Sequence, residues 1–250
     1  MVAVLVCLLD SCTGVPAPTR LPAVDPQVLQ DVIDASFMVP GDGVRRAMRV
    51  REFNHQAGIR KCGGQLTRSL DTTANRWQQN LFPDLELIRE KGFGGDQKEE
   101  ASDTRQDDKA LESISQECKN LFAPIPDFET WFALQGVWYD TVLSQLQAPA
   151  MVPLKKPMAI CLTDRSGLKV GVDDPPTRYL AALTKRWLAL SKEDWEAQKQ
   201  AYSDAFVDCG RGYYETLTKL LLPERDKLVE QNREVLTSFA IHLVEAGYVP

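Results

Sequence analysis

Trp131-Phe132-Ala133-Leu134-Gln135-Gly136-Val137-Trp138-Tyr139-Asp140-Thr141-Val142 decides the fold class of this chain. Trp131, Leu134, Trp138 and Val142 recur every three or four residues, the period of one face of an α-helix. A half-buried strand would alternate at every second residue instead. The spacing predicts a helix from Phe128 to Gln147, entered through the capping residue Asp127 after Pro124-Ile125-Pro126.

The same reading extends towards the C-terminus. Pro157 to Ser166 is predicted helical and stops at Gly167, a residue suited to a left-handed cap. Pro175-Pro176 opens a helix with Leu180, Leu183, Trp187 and Leu190 along one stripe. Ser191-Lys192-Glu193-Asp194 approximates a capping box, with Asp where Glu or Gln is usual. The helix it starts carries Trp195, Tyr202, Phe206 and Cys209 on one side, with Gly210-Arg211-Gly212 as a candidate break. The last segment, Tyr213 to Ala246, shows Leu217, Leu221, Leu228, Val235, Phe239 and Leu243 on one face, and Pro223 is expected to kink or split it.

Towards the N-terminus, Asp25-Pro26 starts a short helix to Ser36, ended by Pro40-Gly41. Helix is also expected from Gly43 to about Ser69, from Thr72 to Asn80, from Asp84 to Lys91 and from Ala110 to Phe122. Between the last two, Gly94 to Lys109 has no apolar side chain but Ala101 and reads as a surface loop. Leu168-Lys169-Val170-Gly171-Val172 is the nearest approach to a strand, and it is short. The expected class is all-α, an irregular helical bundle with a long C-terminal helix, cross-linked by two disulfides.

Those disulfides are inferred from six cysteines in two unlike groups. Cys7 and Cys12 lie in an apolar start, whereas Cys62, Cys118, Cys161 and Cys209 are spread singly along the body. No Cys-x-x-Cys pair occurs, so the close spacing of zinc and redox motifs is missing. An even set of isolated cysteines behind an apolar leader fits structural disulfides in an exported protein. The two halves of the body echo each other weakly, with two cysteines apiece. That echo pairs Cys62 with Cys118 and Cys161 with Cys209.

Met1 to Leu9 is too short to span a bilayer, which takes about 20 residues, and matches a signal-peptide apolar region. Leu9-Asp10-Ser11-Cys12 resembles a bacterial lipobox, which makes Cys12 a lipidation candidate, although no Lys or Arg precedes the apolar run. Pro16, Pro18, Pro22 and Pro26 then make a tether. Residues 1–24 are thus read as leader and tether. Residues 25–250 are read as a single helical body whose two similar halves meet near 124–150.

Met158-Ala159-Ile160-Cys161-Leu162, and Ala201 to Cys209 ahead of a long charged helix, resemble secreted four-cysteine proteins of actinobacteria. Many of these are predicted lipoproteins of unknown function. The resemblance implies a cell-envelope location and no particular activity.

Composition narrows the function. The net charge of −6 argues against a dedicated nucleic-acid binder, which normally carries a basic excess. The local run Arg45, Arg46, Arg49, Arg51, Arg60 and Lys61 reads as the solvated face of a helix. His55 and His242 have no companion at metal-ligand spacing, and no nucleophile elbow or phosphate loop occurs. Glu99-Glu100, Asp107-Asp108 and Asp173-Asp174 fall in expected loops, where water keeps carboxylates ordinary, and Asp204 and Asp208 read as helix-surface groups. The sequence therefore yields no catalytic, metal or cofactor residue.

Aromatic residues offer the alternative. Trp131 and Trp138 are assigned to the core, while adjacent Tyr213 and Tyr214 cannot face one way, so at least one is expected exposed in a binding patch. The leading expectation is a non-enzymatic binding module at the extracellular side of the envelope, tethered to the membrane by lipid on Cys12. Its expected partner is a cell-wall component or an exported protein, not nucleic acid. A wall-polymer hydrolase using a carboxylate pair is the alternative from another class, and an intracellular helical adaptor with reduced cysteines is the weaker one.

Overall fold

Eight α-helices make up the regular structure among the described residues of the computed structural model, which are 24–41, 43–61, 81–93 and 128–250. The side chains of residues 55–61, 128 and 129 are not included in that description. The helices are α1 (Pro26–Ser36), α2 (Gly43–Lys61), α3 (Leu85–Lys91), α4 (Phe128–Leu146), α5 (Val152–Ser166), α6 (Pro175–Ala189), α7 (Lys192–Gln231) and α8 (Arg233–Glu245). No strand occurs among the described residues.

Local chemistry fixes most of their ends. Asp25 accepts from the Gln27 amide at 2.8 Å, with Pro26 in the first turn of α1. Asp84 caps α3 through the Leu87 amide at 2.9 Å, and Gly92 closes that helix at φ 77°. Ser191 caps α7 through the Asp194 amide at 3.1 Å, while Gly167 ends α5 in the left-handed region.

The 40-residue α7, about 60 Å at 1.5 Å per residue, is the element around which the rest is arranged. It packs against α3, α4, α5, α6 and α8, while α1 packs against α2, α4 and α8. A single apolar cluster runs through both groups, from Val28 and Phe37 through Trp131 and Trp138 to Phe206, Leu217 and Leu243. Both tryptophans satisfy their indole N–H inside it: Trp131 donates to the Ser36 hydroxyl at 2.9 Å and Trp138 to the Met38 carbonyl at 2.7 Å. Cys161 and Cys209 form a disulfide, with Cα atoms 5.7 Å apart, that ties α5 to α7. The paired expectation for Cys62 and Cys118 lies outside the described residues, as do Cys7, Cys12, the leader and the expected loop from Gly94.

The long helix departs from expectation in three ways. It runs uninterrupted through Gly210-Arg211-Gly212 and through Pro223, because Leu217 and Leu221 are fully buried on its inner side while Gly212 and Pro223 face outward. Packing outweighs the local penalties of glycine and proline. The break comes instead at Asn232, which closes α7 and precedes α8. The new register puts Leu236, not Val235, in the core with Phe239 and Leu243. Upstream, α5 begins at Val152 and not at Pro157; that ring sits on the exposed side and forfeits one helical bond.

Three arginines of the run on α2 are ion-paired and not simply solvated, while the side chains of Arg60 and Lys61 lie outside the described residues. Arg46 Nε meets Asp34 at 2.5 Å, Arg49 lies 3.6 Å from Asp31, and Arg45 pairs with Asp84. The reason is that α1 turns Asp31 and Asp34, almost wholly buried, towards α2. Buried carboxylates of this kind need cationic partners.

Candidate functional site

Two apolar stripes coexist on α4. The first, already legible, is the core stripe of Trp131, Leu134, Trp138 and Val142. The second consists of Tyr139, Leu143 and Leu146, at i, i+4 and i+7, and it does not reach the core fully: Leu143 is 41% exposed. Opposite it, α6 buries Tyr179 and Leu183 and leaves Leu180 and Ala181 on its flank. Between these two flanks lies a cleft of about 600 Å³, closed at its base by Tyr213 of α7 and bordered by Lys155 of α5. Its size and mainly apolar walls with a few polar groups are those of a small-molecule site.

Tyr213 is only 4% exposed, and among the described residues its hydroxyl has no hydrogen-bond partner. Burial, with the nearby Asp174 carboxylate adding to it, pushes its ionisation well above the ordinary tyrosine range. The phenol is therefore a neutral donor placed in the wall of an apolar cleft. Lys155 and Lys185 also line the cleft, and neither has an ion-pair partner among the described residues.

The acids in the lining are engaged. Asp173 takes a two-pronged contact from Arg178, Nη2 to Oδ2 at 2.6 Å and Nε to Oδ2 at 3.1 Å. That hydrogen bonding holds its carboxyl below the usual range, although both side chains are exposed. Asp174 caps α6 towards the Thr177 amide at 3.5 Å, where it also complements the helix dipole.

Tyr213 and Tyr214 correct one expectation: both are buried, the latter 2% exposed. Adjacent residues on a helix point about 100° apart, but α7 is covered on both of the sides they use. Tyr213 faces the cleft between α4 and α6. Tyr214 sits on Gly210 and Met158 of α5, with its ring 5.8 Å from Phe206. A surface patch made of both residues does not exist. What the fold brings together instead is Tyr213 with Tyr139, which lines the same cleft.

The other polar groups are arranged for structure. Asp34 accepts from Arg46, from Arg225 Nη2 at 2.8 Å and from Gln30 Nε2 at 3.1 Å. Asp31 accepts from Gln27 at 2.9 Å and from the Tyr248 hydroxyl at 2.7 Å. This pair is desolvated, yet its oxygens face protein donors and present no open edge to a substrate. Asp208, beside the disulfide, is clamped by Arg89 of α3 and Arg165 of α5, and Asp204 accepts from Gln200 at 3.0 Å. Both are helix-surface groups. His242 contacts Glu245 at 3.1 Å, and among the described residues no group of three His, Cys, Asp or Glu is placed to hold a metal. Glu99-Glu100 and Asp107-Asp108 lie outside the described residues.

A second depression, of about 700 Å³, runs along α5 past Val152, Pro157, Ile160 and Cys161. It has no buried polar group to orient a ligand, and its walls come from one helix. The cleft with Tyr213 is the better-built site.

Fold and site together define an all-α protein, braced by an interhelical disulfide, with an apolar cleft lined by Tyr139, Tyr213 and two lysines that have no ion-pair partner among the described residues. No protein-family model, no curated protein and no solved structure matches this chain. No helix among the described residues is long and apolar enough to cross a membrane.

Proposed function

We propose that this chain is an exported cell-envelope protein that binds a ligand in the cleft between α4 and α6 without transforming it. The observation that carries the reading is the apolar cleft itself, into whose wall the largely buried Tyr213 sets a neutral hydroxyl that has no hydrogen-bond partner among the described residues. The Cys161–Cys209 bridge supports a location outside the reducing cytosol. In that setting the N-terminal segment acts as a tether, with Cys12 as the lipid attachment point. Of the anticipated partners, a cell-wall component or an exported protein, a cleft of this size favours a small molecule or a chain end of the former.

The hydrolase alternative asks for a carboxyl group with a raised pKa poised across a cleft from a second carboxylate. Asp173 has the opposite shift, and its neighbour Asp174 follows it directly in sequence, so the two flank no reacting bond from opposite sides.

The test is native mass spectrometry of the full chain recovered from the envelope. Wild type should carry a small-molecule adduct that Ala181→Trp, which fills the cleft from an exposed position on α6, removes while the helical spectrum is retained. A wild type free of adduct, or an adduct that survives the substitution, overturns the binding reading.

A further inference from the structure

We infer that the ligand of this cleft is a single-chain anionic amphiphile, its hydrocarbon chain lying between α4 and α6 and its acid group taken by Lys155 and Lys185. The inference rests on the cleft being the binding site, and three observations specify the ligand class.

The first is shape. From the cap of α6 at Asp174 the lining extends along the helix to Lys185, a rise of about 16 Å. On the α4 side it extends from Tyr139 to Gln147, about 12 Å. An elongated slot suits a chain better than a compact ring system.

The second is polarity. Leu81, Leu143, Leu146 and Leu180 supply the walls, and Leu143 leaves 41% of its surface uncovered. A hydrocarbon chain laid there removes apolar surface from water, the dominant favourable contribution to such binding.

The third is the balance of unused charge. Asp173 is engaged by Arg178, and Asp174 serves the N-terminus of α6, whereas Lys155 and Lys185 meet no carboxylate among the described residues. The charge left for a ligand is positive. A purely cationic head would leave both ammonium groups unanswered. The Tyr213 hydroxyl adds a neutral donor for a carboxylate or phosphate oxygen, or for an oxygen along the chain.

The experiment is isothermal titration of the full, oxidised chain with saturated fatty acids of increasing length, below their micelle concentrations. Their methyl esters, alkyl phosphates and alkyltrimethylammonium salts of equal length serve as comparisons. The acids should bind about three- to fourfold more tightly per added methylene until the slot is filled. The acid should exceed its ester about tenfold, and the double variant Lys155→Gln/Lys185→Gln should erase that margin while leaving ester affinity unchanged. Alkyl phosphates matching or exceeding the acids would identify a phosphate head within the same class. Equal affinity for the cationic amphiphile, or a margin that survives the double variant, overturns the inference.

Ala181→Trp separates this failure from failure of the site. If it blocks the envelope-derived adduct while no anionic amphiphile binds wild type, the cleft stands and the ligand class is wrong. If acids bind equally well to Ala181→Trp, they bind elsewhere and the inference is wrong.

Discussion

Asp34 concentrates the electrostatic cost of this fold in one residue. It is 1% exposed and accepts from Arg46, Arg225 and Gln30, so three segments of chain depend on one carboxylate. Arg225 is itself largely buried, and removing its counter-charge leaves a cation without compensation. Asp34→Ala should therefore lose about 3–5 kcal/mol in denaturant unfolding, well beyond an ordinary surface change. A loss below about 1 kcal/mol would show that water reaches the two arginines. Tyr248 makes a related prediction at high pH. Burial, with its hydrogen bond to Asp31, pushes its ionisation up to about 12, against about 10 in an unfolded chain. Between those values the unfolded state gives up the proton more readily, so the stability this group contributes is complete below about pH 10 and is lost as pH rises through about 12. Tyr179, Tyr213 and Tyr214 shift upward too, chiefly by burial, and add to the same decline. Tyr248→Phe should flatten part of the fall of unfolding free energy above about pH 10, and an unchanged slope would remove Tyr248 from this account.

At the scale of the element, α7 shows how far packing overrides local preference. Gly210 and Gly212 sit two residues apart in one helix and serve different ends. A Cβ at Gly210 would meet the Tyr214 ring at 3.2 Å and Met158 Cε at 3.4 Å, whereas a Cβ at Gly212 would meet nothing within 4 Å. Gly212→Ala should stabilise by about 0.5–1 kcal/mol through helix propensity. Gly210→Ala should gain less or lose, since Tyr214 is enclosed in the core; equal gains would mean that α5 and α7 are not closely packed there. The same helix marks the boundary of what its sequence discloses. The capping signals Asp25 and Ser191, and the stripe on α4, are local and legible in the sequence, whereas the cap at Asp84 shows only in the structure. Glycine and proline inside α7 were misleading because their effect depends on Leu217 and Leu221, which lock the inner face through distant partners. Arg46 and Arg49 of α2 depart from a solvated face for a like reason: a charge run looks solvated until α1 presents buried aspartates to it. Tyr213, which the sequence offers as part of an exposed patch, is instead buried in the lining of the cleft. One wall of that cleft comes from the flank of α6, and no periodicity announces that two partly buried stripes will face each other across a gap.

For the whole molecule, the disulfide and the cleft are connected through the chain between them. The Cys161–Cys209 bridge closes a sequence separation of 48 residues that contains the whole of α6, and with it one wall of the site. Without the bridge, α6 is positioned by its packing on α5, on Phe93 and on α7, the last slight compared with the contact between α5 and α7 themselves. Closing a loop of that length removes unfolded-state entropy worth about 4 kcal/mol in the chain-entropy model, with 2–4 kcal/mol typical of measured bridges. Both half-cystines are only half-buried, so truncating them opens little cavity, and the change reports on the crosslink. The double variant Cys161→Ala/Cys209→Ala should therefore lose about 2–4 kcal/mol in denaturant unfolding while its circular dichroism remains helical. Its affinity for a cleft ligand should also fall, because ordering α6 must then be drawn from the binding free energy. Lost stability with unchanged affinity would show that packing alone holds the α6 wall. An unchanged stability would show that the reduced chain already keeps α5 and α7 together when unfolded.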